Sequence, residues 1–119
     1  MSPNPTPEKL QDVKVERRYV NGLKDLQLAI FTQANHLFPN RTPSKAFMKL
    51  YEEMGEVIKK PTDRLEWADV IILILDLAKI YGVTDLQEAV IEKMAINQNR
   101  TWVETATGTM QHTIEDKAV

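Results

Sequence analysis

No cysteine occurs among the 119 residues, so disulfides, thiolate zinc sites and cysteine nucleophiles are all excluded. Long hydrophobic runs are missing too. The longest, Val70 to Leu75, is six residues between Asp69 and Asp76, against the roughly 20 needed to span a bilayer. The N-terminus carries no apolar stretch behind its charges, so no signal peptide is expected and the cytoplasm is the expected compartment. Charge of one sign is scarce: a formal net charge of −2 gives no global attraction to a nucleic-acid polymer or an anionic membrane. Neither of the two histidines has a glutamate three residues before it, which disfavours a di-iron helical bundle. What remains is ordinary soluble-protein composition, 43% hydrophobic and 27% charged, in a chain large enough for one core but small for a pocket closed by a single subunit.

Residues 1–18 hold prolines at 3, 5 and 7 before a charged run and read as an arm, either mobile or wrapped on a neighbouring subunit. Residues 19–102 read as the folded domain and 103–119 as a tail with little periodicity. Within the domain the spacing predicts four helices. The first spans about 19–37, with Leu23, Leu26, Ile30 and Phe31 at helical spacing. FPNRTP (38–43) breaks it through two prolines. The second starts at Thr42 or Ser44 and turns Phe47, Leu50, Tyr51, Met54 and Val57 inward. Thr62 caps the third, with Asp63 in its first turn and Gly82 as its stop. Its ADVIILILDLAKI stretch is apolar almost all round, which predicts a central helix partly buried by another subunit. Thr84 and Gln87 have the spacing of a capping box for the fourth, which runs to Asn97 or beyond.

The informative stretch is LYEEMGEVIKKPTDRLEWAD (50–69). Positions three apart share a helix face, so Glu53 pairs with Glu56 and Glu66 with Asp69. Both cross-pairs, Glu56 with Glu66 and Glu53 with Asp69, are centred on Pro61. An antiparallel hairpin turning there brings four carboxylates together, with roughly 4.5 Å between the two levels at about 1.5 Å of rise per residue. Such a group repels itself unless it takes up protons or binds cations, and hard ions such as Mg²⁺ or Mn²⁺ suit it. Asp76 shares the face of Asp69 and is a partner for some cationic side chain or for Lys79.

On the fourth helix Lys93, Asn97 and Arg100 form one polar stripe. A second hairpin centred on Val83 sets Asn97 level with Asp69 and Arg100 level with Glu66. Metal-holding carboxylates beside phosphate-holding cations are what a polyphosphate substrate needs. Each pattern alone also describes a solvated helix face; the shared register sets the combination apart.

The order EExxE (Glu52, Glu53, Glu56), ExxD (Glu66, Asp69) and KxxxNxxR (Lys93, Asn97, Arg100) resembles the all-α nucleoside triphosphate pyrophosphatases of the MazG, HisE and dimeric dUTPase superfamily. EWADVIILILDLAKIYG followed by EKMAINQNRTW is most similar to the small, often phage-carried dATP/dGTP diphosphohydrolase branch, the MazZ type. The resemblance covers about 26–102. Nine residues separate Glu56 from Glu66, fewer than in many members of that superfamily, and the register shows that this short connection still joins the pairs.

The resemblance implies a four-helix MazG-type bundle assembled as a homodimer or tetramer. It implies metal-dependent hydrolysis of a (deoxy)nucleoside triphosphate to the monophosphate and pyrophosphate, with dGTP, GTP or dATP favoured. The alternatives are a pyrimidine enzyme for dCTP or dUTP, or a non-catalytic nucleotide-binding helical module. Glu53, Glu56, Glu66 and Asp69 would hold two or more Mg²⁺ or Mn²⁺ ions. Glu53, or Glu52 beside it, would orient or deprotonate the attacking water, and Lys93, Asn97 and Arg100 would bind phosphate or sugar. The base site implied by the first helix and its loop offers Phe31, Gln33, Asn35, His36 and Phe38. Phe31 either stacks on a base or belongs to the core, and His36 either reads a base or is a surface or cap residue. Trp102 either closes the pocket or packs on the third helix.

Overall fold

The computed structural model describes residues 20–112, which form four helices and one β-hairpin. The expectation for an arm over 1–18 lies outside these residues, as does the tail beyond 112. Helix α1 is Leu23–Leu37, α2 Pro43–Lys59, α3 Arg64–Ile80 and α4 Leu86–Gln98; strands β1 and β2 are Trp102–Glu104 and Met110–His112.

The helix ends follow local chemistry. α1 begins at Leu23 and not near 19 because Gly22 takes φ +100°, outside the helical region and open mainly to glycine. Thr42 caps α2, its side chain accepting from the Lys45 N–H at 3.3 Å, with Pro43 in the first turn where its missing N–H costs nothing. α3 corrects the expected cap by one residue. Asp63, not Thr62, takes the position, its Oδ1 accepting from the Leu65 N–H at 3.0 Å, and its charge suits the positive end of the helix dipole. Gly82 ends α3 at φ +78°, with the Val83 N–H reaching the Ala78 carbonyl at 2.8 Å and the Gly82 N–H the Lys79 carbonyl at 3.0 Å. Those two bonds are the Schellman pattern. α4 starts at Leu86, two residues after the expected Thr84.

Two compact units divide at Leu86 and Gln87. In the first, α3 packs against both α1 and α2. Its buried apolar residues are Ile30, Ala46, Leu75 and Leu77, joined by the buried polar residues Gln27 and Asp76. Gln27 Nε2 donates to the carbonyls of Leu75 at 3.0 Å and Val83 at 2.9 Å, so one amide fastens α1 to α3 and to the turn after it.

The inward face of α2 keeps Leu50 and Val57 from the expected set, both half-buried, but not the other three. Ala46, Leu50, Glu53 and Val57 are covered, while Phe47, Tyr51 and Met54 stay exposed. α3 buries Leu75, Asp76 and Leu77 but leaves Leu65, Trp67, Ile71, Ile72 and Ile74 exposed.

The second unit holds most of α4 and the hairpin. The hairpin corrects a purely helical reading of the chain and replaces the featureless tail expected from 103. Trp102 pairs with His112, Val103 with Gln111 and Glu104 with Met110. The turn is held by hydroxyl contacts of Thr105 with Thr107 at 3.1 Å and with Thr109 at 2.6 Å, and Gly108 supplies the φ of +84° it requires. These are short-range side-chain contacts, which periodicity does not report.

Candidate functional site

α2 and α3 form the antiparallel hairpin that turns at Lys60–Asp63, where the Asp63 N–H donates to the Lys60 carbonyl at 3.0 Å. One carboxylate from α2 and two from α3 converge: Glu53, Glu66 and Asp69 each place an oxygen within 4.8 Å of the others. Glu53 is the best covered, with 14% of its side chain exposed. Partial burial pushes the Glu66 carboxyl above the usual carboxylate range. Lys60 opposes that shift, and the negative charges of Asp63, Glu56 and Asp69 add to it. Three converging hard oxygen donors in a self-repelling group fit Mg²⁺ or Mn²⁺.

Glu56 stands outside this group of three, with Oε1 3.7 Å from Lys59 Nζ. Glu52 is exposed and lies 3.5 Å from Lys49. Lys49 also reaches Glu53 at 3.2 Å, and the hydrogen bond and charge of Glu53, followed by the charge of Glu52, raise its pKa.

A cavity of about 460 Å³ opens beside the carboxylates. Its lining combines the acidic Glu53 and Asp69, the basic Arg41, Lys45 and Lys49, and the apolar Phe38, Ala46, Ile72 and Leu73. Mixed polarity of this kind suits a ligand with an anionic end and an apolar ring.

Arg41 went unmarked in the sequence. It holds Asp76 with both ends of its guanidinium, Nε to Oδ2 at 2.7 Å and Nη2 to Oδ1 at 2.8 Å. Of the two expected partners of Asp76, a cationic side chain elsewhere or Lys79, the structure has the first. Lys79 instead lies over the Phe31 ring, Nζ 5.7 Å from its centroid, and Arg41 also approaches that ring at 5.4 Å. The one available signal was a buried-face aspartate that needed a cation.

The expected base residues are not gathered into one place. Phe38 lines the mixed cavity, whereas Gln33 lines a separate groove of about 370 Å³ between α1 and α3, walled by Leu26, Ile30, Ala68, Ile71 and Ile72. Asn35 is exposed, and His36 has a buried Nε2 with no hydrogen-bond partner among the described residues. Lys93, Asn97 and Arg100 belong to the second unit. There, Asn97 Oδ1 and Arg100 Nε are buried with no hydrogen-bond partner among the described residues. The Trp102 indole donates to the Asn97 carbonyl at 2.8 Å and its ring meets His112 edge-on at 5.8 Å.

Known proteins resemble this chain closely. The family model for dATP/dGTP pyrophosphohydrolases matches residues 31–119. A dATP/dGTP diphosphohydrolase of Salmonella phage PMBT28 is 40% identical over 117 residues, which is 97% of this chain; the chain spans 39% of that relative's length. The protein of the same name from cyanophage S-2L is 44% identical over 90 residues, covering 74% of this chain and 85% of the relative. In structure, the chain is similar to the cyanophage S-2L MazG-like pyrophosphohydrolase bound to dGDP and three catalytic Mn²⁺ ions per active site. That match has a TM-score of 0.70 at 41% identity and covers 81% of this chain and 97% of the other.

Proposed function

The chain belongs to the dATP/dGTP pyrophosphohydrolase family, and from that premise we propose that it hydrolyses a purine deoxynucleoside triphosphate, dGTP or dATP, to the monophosphate and pyrophosphate. The observation that carries this reading is the convergence of Glu53, Glu66 and Asp69, two of which, Glu53 and Asp69, line a cavity together with Arg41, Lys45 and Lys49. The dGDP and three Mn²⁺ ions of the cyanophage protein support both the substrate class and the use of several ions.

Glu53, Glu66 and Asp69 hold the metal, with Glu56, one turn along from Glu53, as the fourth ligand. Bound Mg²⁺ or Mn²⁺ supplies charge to the phosphate oxygens and acidity to a coordinated water. Glu53, or Glu52 beside it, would orient the attacking water and take its proton. Phe38 offers a ring to the base at the cavity mouth. Asn97 Oδ1 and Arg100 Nε, buried without hydrogen-bond partners among the described residues, are suited to sugar and phosphate, since a buried polar atom left unpaired is costly. Lys93 joins them as a further cation. The exposed apolar face of α3 is covered in a dimer or tetramer, and the enzyme acts in the cytoplasm. Among the described residues no helix is long and apolar enough to cross a membrane.

The test is a panel of ribo- and deoxynucleoside triphosphates with Mg²⁺ or Mn²⁺, measuring both pyrophosphate and monophosphate. Equimolar release of the two from dGTP or dATP is expected. No release from any nucleotide overturns the reading, and release of single phosphate moves the cleavage to another bond.

A further inference from the structure

Lys49 stands one turn before Glu53 on α2, with Nζ 3.2 Å from Glu53 Oε1 and 3.5 Å from Glu52 Oε2. It also lines the same cavity as Glu53 and Asp69. Its spacing alone describes an ordinary surface pair. Burial makes the difference: the Glu53 side chain is 14% exposed and that of Lys49 57%. One partner is fixed in the carboxylate group and the other is a mobile ammonium on a four-carbon stem.

We propose that Lys49 is the counter-charge that a divalent cation must displace from Glu53, and that the displaced ammonium then serves the cavity as a phosphate-binding group. This rests on the reading of Glu53, Glu66 and Asp69 as metal ligands. An ammonium and a divalent ion held against the same carboxylate repel each other, so the two cations compete for it. Glu53 is too enclosed to turn away, and the exchange therefore moves Lys49. The lysine has somewhere to go, because it already lines the cavity together with Lys45 and Arg41. Arg41 is committed to Asp76 through both ends of its guanidinium, which leaves the lysines as the cations able to reorient toward phosphate. Metal loading and phosphate binding are thereby coupled, since the ion releases the group that the phosphate takes up.

The closing experiment titrates the full chain with Mn²⁺, following free Mn²⁺ by electron paramagnetic resonance, in the parent, Lys49→Met and Lys49→Arg, and then measures dGDP binding to each in saturating Mn²⁺. Lys49→Met is expected to bind Mn²⁺ about tenfold more tightly than the parent and dGDP about tenfold more weakly, the size of effect that one nearby charge exerts. Lys49→Arg, which keeps the charge, is expected to bind Mn²⁺ within about twofold of the parent. Unchanged or weaker Mn²⁺ binding by Lys49→Met overturns the counter-charge, and unchanged dGDP binding overturns the transfer to phosphate. An arginine variant as tight as the methionine variant also overturns the proposal, because packing and not charge would then be responsible. A parent that binds no Mn²⁺ overturns the metal reading itself, an outcome distinct from the others.

Discussion

Arg41 and Asp76 are 35 residues apart and meet in a two-bond pair that ties the loop between α1 and α2 to the middle of α3. The side chains are 14% and 5% exposed, so the charges are largely withdrawn from water and each depends on the other. Arg41 Nη1 also donates to the Phe38 carbonyl at 3.3 Å, which fixes the loop that carries Phe38 into the cavity. Removing one partner leaves a buried charge uncompensated. Arg41→Ala and Asp76→Asn are each expected to cost about 3 kcal/mol in chemical denaturation. Arg41→Lys is expected to recover little of it, because a point charge cannot engage both carboxylate oxygens in one plane. A loss below about 1 kcal/mol, the range of surface pairs, would show that the pair contributes no more than an exposed one.

How far the sequence carried these conclusions depended on the range of the contact. The hairpin register needs only helical rise and a turn at Pro61, and it brings Glu53 beside Glu66 and Asp69. The resemblance to the dATP/dGTP pyrophosphohydrolases was legible in three spaced motifs, and the family model bears it out. Arg41 was not legible because its partner depends on the path of an irregular loop. The inward face of α2 lies about a fifth of a turn from the expected one, at about 100° per residue, with Leu50 and Val57 on both. Apolarity marked Phe47, Tyr51 and Met54 for the core, yet these remain exposed while Ala46 and the charged Glu53 turn inward. A helix with a second apolar surface to cover does not reveal from composition which surface its own chain takes.

Neutralising one metal-site carboxylate should separate activity from stability. Glu53→Gln and Asp69→Asn keep shape and remove one charge from a mutually repelling group. Pyrophosphate release is expected to fall by at least about a hundredfold, with melting temperature unchanged or raised, as is common where function maintains a strained charge cluster. Retained activity in both variants would reduce the cluster to a surface feature.

Glu66 yields a pH prediction. Its folded-state pKa is raised by partial burial and by Asp63, Glu56 and Asp69, against the pull of Lys60. Across the window above the unfolded value, the folded chain therefore binds more protons than the unfolded chain, and stability falls as pH rises through it. In chelator, Glu66→Gln is expected to melt above the parent at neutral pH. The difference should close as pH falls below about 4, where the carboxyl is protonated in both states. A gap that is independent of pH would assign the effect to packing.

The exposed residues of α3 carry the last prediction. Leu65, Trp67, Ile71, Ile72 and Ile74 are all at least 40% exposed on a helix whose next turns are buried. Ile71 and Ile72 also wall the apolar groove between α1 and α3. Trp67, Ile71 and Ile74 fall on one side of the helix, and exposed apolar residues gathered in this way mark an association face. The full chain is therefore expected to be dimeric or tetrameric in light scattering at micromolar concentration, and Ile71→Glu to shift it toward monomer, since burying an unpaired carboxylate opposes association. A parent that is monomeric under these conditions would require the face to be covered by something other than another copy. If the variant dissociated and lost activity while still binding Mn²⁺, a neighbouring subunit would be needed for turnover though not for the carboxylate site.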